Sequence, residues 1–140
     1  MKNVQRFIDA QEKHYKQALL ELRQGRKKTH WIWFIFPQHR KLGHSFYAKY
    51  YGLASLTEAR DYLAVDLLKQ RYMECLTALV KVENLQMEPL DLMKLQSSLT
   101  LFCLAANEES QVQELCDLLL EIYFDGELCH RTEAILLGLI

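Results

Sequence analysis

Backbone breakers are scarce: two prolines, Pro37 and Pro89, and five glycines in 140 residues. So few leave no Pro/Gly/Ser linker to divide the chain, so residues 1–140 read as a single domain. No apolar run reaches the roughly 18–20 residues that span a bilayer, and "MKNVQRFIDAQEKHYKQ" contains no apolar stretch of signal-peptide type. A cytoplasmic protein with no membrane association is therefore expected. The cysteines Cys75, Cys103, Cys116 and Cys129 form no Cys-x-x-Cys pair and lie in or beside apolar helical patterns. That argues against zinc sites and disulfide frameworks and predicts reduced, buried thiols. No phosphate loop, dinucleotide fingerprint, nucleophile elbow or metal-ligand spacing is present, so neither metal nor cofactor is expected. Seventeen Lys and Arg against eighteen Asp and Glu give a net charge of −1, too balanced to draw a polyanion, and nucleic acid is an improbable partner.

What the chain does contain is helical periodicity. Ile8, Tyr15, Leu19 and Leu22 share a face, with Asn3 placed to cap that helix and Gly25 to stop it. Ser55 with Glu58 reads as a capping box. Asp66 is placed to cap the next helix, and Pro89 suits the first turn of another. "LDLMKLQSSLTLFCLAA" is apolar nearly all round, as a central helix is. "QVQELCDLLLEIYF" is cleanly amphipathic and stops at Gly126, and Thr132 is placed to open a terminal helix.

The ambiguous stretch is "HWIWFIFP", set between "GRKK" and "HRK". Its aromatic and β-branched content suits a strand, but no second strand exists to pair with it. A short buried helix, capped by Thr29 and ended at Pro37, is the alternative adopted. Gly43 then supplies a turn with positive φ, and Ser45 caps "FYAKYYGL". The architecture is all-α, a compact bundle of six to eight helices.

The stretches "GRKKTHWIWFIFPQ", "LGHSFYAKYYGLASLTEARDYL", "KLQSSLTLF" and "FDGELCHRTEAILL" resemble the bacterial domain-of-unknown-function family numbered 1810 across nearly the whole chain. The resemblance implies a helical fold and no established activity. Among the positions that carry it are Gln11, Gly25, Arg26, His30, Gln38, Gly43, Ser45, Lys94, Ser97 and Thr132. Three places depart from the family pattern: Val65–Asp66 replaces a His-Pro pair, Gln96 an arginine, and Cys129 an aspartate. That arginine and aspartate are either a functional pair, whose loss impairs this member, or a structural ion pair.

Candidate chemistry centres on six side chains. His30 suits an acid/base or ligand-contacting imidazole, or a turn histidine bonded to backbone. Arg26 suits an anion clamp, or a solvated helix end. Lys94 and Ser97, near an apolar stripe, suit a pocket lining, or a snorkelling lysine and a hydroxyl bonded one turn back, with Asp91 the sole nearby acid. Trp33 and Gln38 complete the set, although the aromatics of the block are more readily core than binding surface. The leading function is a pocket between helices for a small polar or anionic ligand, catalytic or not, with Arg26, His30 and Lys94 converging in it. The competing one is a non-catalytic interaction or structural module, built on the amphipathic helix and a tyrosine-rich surface, which a homo-oligomer would support.

Overall fold

The computed structural model describes residues 4–140. Its eight α-helices, with no sheet among the described residues, are α1 (Gln5–Gln24), α2 (Ile32–Ile35), α3 (Phe46–Tyr50), α4 (Leu56–Ala64), α5 (Asp66–Val80), α6 (Pro89–Ala105), α7 (Gln111–Phe124) and α8 (His130–Leu136). A 3₁₀ turn, Arg40–Leu42, precedes α3. The predicted all-α class and helix number are what is observed.

α6 is the hub, packed against α2, α4, α7 and α8. Every residue from 97 to 103 is buried, so the helix has no solvent face there. Its buried hydroxyls stay satisfied: Ser97 donates to Met93 O and Thr100 to Gln96 O, one turn back, while Ser98 and the Tyr72 phenol bond each other at 2.9 Å. Tyr72 and Tyr62 pack on Phe102 with ring centroids 4.6 and 5.3 Å apart, and Phe36 packs on Tyr72. Gln11 ties three elements: its amide donates to Phe34 O and to the Tyr62 hydroxyl, and its carbonyl faces Arg71. α7 turns Val112, Cys116, Leu119 and Leu120 into this core, so most of its apolar stripe is already covered.

α1 ends at Gly25, whose φ of 75° is the left-handed stop the sequence implied. The proposed Asn3 cap lies outside the described residues. The aromatic block forms a helix of a single turn, and Thr29 does not cap it: Trp31 is the N-cap and supplies no side-chain bond. The reason is Glu21, which captures the Lys28 and Thr29 N–H groups and the Thr29 hydroxyl before the helix begins. The strand-like character of the block survives just beyond it, where Leu53 N–H donates to Gln38 O and Arg40 N–H to Leu53 O. That bridge satisfies the backbone without a sheet.

Two further helix starts differ. Val65, not Asp66, is the N-cap of α5, because α4 ends directly against it and Asp66 is already helical, contributing charge rather than a cap. α8 starts at His130 behind Cys129, whose N–H donates to the Thr100 hydroxyl, so Thr132 lies inside the helix and is fully buried. Ser45 and Ser55 cap as read. Glu58 closes its box on Ala54 N–H rather than on Ser55.

Candidate functional site

Two clefts flank α3. The first, about 370 Å³, lies between residues 38–48 on one side and α6 with the start of α8 on the other. α6 contributes Lys94, Gln96 and Ser97; the start of α8 contributes Cys129 and Arg131; Gln38, Gly43, His44 and Ser45 form the opposing wall. Gln38, Gly43, Ser45, Lys94 and Ser97, all positions that carry the family resemblance, therefore meet here. So do the departures Gln96 and Cys129. Among the described residues no carboxylate lines the cleft, whereas Lys94 and Arg131 do.

Each wall has a local cause. Lys94 is half-buried and has no claim on Asp91, because Asp91 bonds the Lys27 ammonium at 3.1 Å. Ser97 donates to Met93 O and also lies 3.3 Å from Cys129 Sγ. Gly43 has an extended backbone, φ −124°, so it does not supply the positive φ anticipated for it. It is needed for space: a Cβ there would lie 2.4 Å from the Ala48 Cβ.

Cys129 differs from the other thiols. Burial pushes it up, but the polar groups around the sulfur, namely the Ser97 and Thr132 hydroxyls and the Thr132 and Arg131 N–H groups, outweigh burial and hold it below the ordinary thiol value. Burial raises Cys75 and Cys103 to about 12, and raises Cys116 as well. The Thr132 hydroxyl faces the Cys129 sulfur but makes no well-formed hydrogen bond and is the one buried polar side-chain atom without a partner among the described residues. Gln96, in the place of the family arginine, donates to Glu127 O. Gln96 and Cys129, where the resemblance implies an arginine and an aspartate, thus fall in one cleft.

The second cleft, about 480 Å³, is enclosed by α1, α2 and α3. Its wall is aromatic: Trp33 against Tyr47 at 5.1 Å and Phe34 against Tyr51 at 5.2 Å. Lys13, His14 and His30, all exposed, stand at its rim. Trp33 is half-buried rather than core, in contrast to Trp31, which is buried.

The six predicted residues accordingly divide. Gln38, Lys94 and Ser97 line the first cleft, and His30 and Trp33 the second. Arg26 lines neither: its side chain is exposed while its backbone segment pairs with Gln86. The expected convergence of Arg26, His30 and Lys94 on one pocket does not occur. Within "GRKK" it is Lys27 that turns inward, bonding Asp91 and Thr29 O and lying 5.0 Å over the Trp31 ring.

Sequence reasoning missed Glu21 and His39. Glu21 is fully buried without a cationic partner, yet accepts from Gln17, Lys28 N–H, Thr29 N–H and hydroxyl, and the Trp31 indole. Burial pushes its carboxyl up, but these bonds prevail and hold it at about 2. Its signal was a carboxylate on the buried stripe of α1, beside Ala18 and Leu22. His39, also buried, accepts from Lys41 N–H through Nδ1, and burial, with Lys41 and Arg40 nearby, holds its pKa below the ordinary value.

A family model described as "Protein of unknown function (DUF1810)" matches residues 1–136. The crystal structure of the conserved hypothetical protein Rv1873 from Mycobacterium tuberculosis is similar, with a TM-score of 0.90, 40% sequence identity and 96% of each chain covered. No curated protein matches the chain.

Proposed function

The chain belongs to the family described as a protein of unknown function (DUF1810), and we propose that its first cleft binds a small anionic ligand, with Lys94 and Arg131 supplying the charge and Gln38 and Ser45 the hydrogen bonds. One observation carries this reading: two basic side chains line a cleft that, among the described residues, holds no carboxylate. A half-buried lysine without an acidic neighbour gains from an anion more than from water alone. The cleft's volume is at the lower end for ligand pockets and favours a small carboxylate or phosphate ester over a dinucleotide. No reaction is assigned. The catalytic candidate His30 lines the other cleft.

The test is thermal unfolding with inorganic phosphate and a panel of small phosphorylated and carboxylated metabolites. A ligand that binds only the native state raises the melting temperature by mass action. The expected result is a saturable rise with at least one anion, abolished in Lys94→Ala and weakened in Arg131→Ala. Absence of any shift, or an equal shift in both variants, overturns the reading. It would return the weight to an interaction module, for which Leu118 and Ile122 are the half-exposed remnant of the α7 stripe.

A further inference from the structure

Among the described residues Cys129 is the one thiol that lines the first cleft. It is half-exposed, whereas Cys75, Cys103 and Cys116 are buried elsewhere in the fold. Its backbone is pinned. The Cys129 N–H donates to the Thr100 hydroxyl at 2.8 Å, and that hydroxyl donates in turn to Gln96 O at 2.8 Å. The sulfur is thereby held in one place, 3.3 Å from the Ser97 hydroxyl.

A second observation comes from the other side of the sulfur. Thr132 is fully buried, and its hydroxyl faces the Cys129 sulfur without a hydrogen-bond partner. A buried hydroxyl with no acceptor costs free energy. A neutral thiol is a weak acceptor, while a thiolate carries a full charge and accepts well. The surroundings therefore suit the charged, nucleophilic form of the sulfur. Lys94 and Arg131 line the same cleft, with no carboxylate lining it among the described residues. Their charge favours a reactant that arrives as an anion. The cleft's roughly 370 Å³ leaves room for a group of amino-acid size, which a peroxide would not use.

We propose that Cys129 is a modification site, at which the first cleft admits a small anionic disulfide and Cys129 forms a mixed disulfide with one half of it. The inference rests on the anion-binding reading of that cleft. The Cys129 thiolate bonds to one sulfur of the incoming disulfide, the bond between the disulfide's own sulfurs breaks, and the second sulfur leaves with the electron pair as a thiolate. Cys129 is oxidised, the incoming disulfide is reduced, and the proton that Cys129 gave up on ionising goes to solvent. No other cysteine lines the cleft to displace the adduct, so it persists until a free thiol from outside attacks it.

Intact-mass spectrometry tests this at neutral pH and low ionic strength with three small disulfides: dithiodiglycolate, a dianion; hydroxyethyl disulfide, neutral; and cystamine, a dication. Each rate is divided by the rate of the same reagent with N-acetylcysteinamide, which removes the reagent's intrinsic reactivity. The expected result is a single adduct, mapped to Cys129 and absent in Cys129→Ser. The normalised rate for the dianion should exceed that for the dication by about tenfold. Arg131→Gln, at an exposed position where the fold is not at stake, and Lys94→Gln should each lower that ratio, as should added salt. The ratio, unlike either rate, does not move with the thiol's own ionisation. A ratio near one, or an adduct formed first on another cysteine, overturns the proposal. The anion-induced rise in melting temperature separates the two readings. Where that rise is present and the ratio is near one, the anion cleft stands and the modification site falls; where both are absent, both fall.

Discussion

The Trp31 indole N–H donates to Glu21 Oε1 at 2.9 Å, and both residues are buried. This bond fastens the end of α1 to the aromatic block ten residues on. Oε1 takes three donors and Oε2 two, so the carboxylate has more hydrogen bonds than water would make compulsory, and it keeps its charge without an ion pair.

The Glu21 carboxyl lies at about 2, against an ordinary 4.5. The stability this contributes is present in full above pH 4.5 and is lost as pH falls from there through 2. That difference corresponds to about 3 kcal/mol. Urea unfolding between pH 7 and pH 2 should show the loss. Glu21→Gln should remove about 2–4 kcal/mol at neutral pH, because one oxygen becomes a donor facing donors, and should flatten the acid slope.

His39 gives a second, higher pH window. Its folded pKa is held below 6.5, chiefly by burial, with Lys41 and Arg40 adding to the effect and the Ala54 backbone and Glu58 opposing it. Stability is present above 6.5 and falls as pH drops below it, since the neutral ring must take a proton in a buried place. His39→Asn keeps an acceptor for Lys41 N–H and cannot be protonated in this range. The variant should lose the slope between pH 7 and 5, read from denaturant midpoints at each pH.

Cys129 should be the first thiol modified. It is half-exposed with a lowered pKa, whereas the other three are buried with raised ones. Labelling with an aromatic disulfide at pH 7.5 should show one fast phase that disappears in Cys129→Ser. Cys129→Asp introduces the residue that the family resemblance implies there. It should stabilise by about 1 kcal/mol, by capping α8 and giving the buried Thr132 hydroxyl an acceptor. A lower melting temperature in that variant would show that the aspartate needs the missing arginine.

Gly43→Ala should cost about 1–3 kcal/mol through overpacking against Ala48. Adding Ala48→Gly should recover part of that loss despite the poorer helix propensity of glycine, and a double-mutant cycle measures the coupling.

Periodicity and caps were enough to read most helices, because apolar stripes and the Ser45, Ser55 and Gly25 signals act within a few residues of themselves. The start of α2 was not legible, since Glu21, eight residues earlier, holds the Thr29 hydroxyl that would have capped it. The site was legible as a set of residue types and not as a place. Lys94 and Gln38 share a cleft because residues 38–40 are held by Leu53, a pairing with no local signature. Arg26 and Lys27 are neighbours in sequence, yet one faces solvent and the other an indole; Asp91, distant in the chain, decides which.

The all-round burial of α6 also sets a hierarchy of motion. Residues 97–103 are buried on every side, so their amide protons are expected to exchange with solvent only when the whole molecule opens. α3, a helix of five residues with one buried side chain, is expected to open locally and more often, which hydrogen exchange would show. The floor of the first cleft is therefore fixed while one of its walls breathes, and α3 stands between both clefts. Residues of α3 line both clefts, so a local opening of α3 would change access to each without unfolding the molecule.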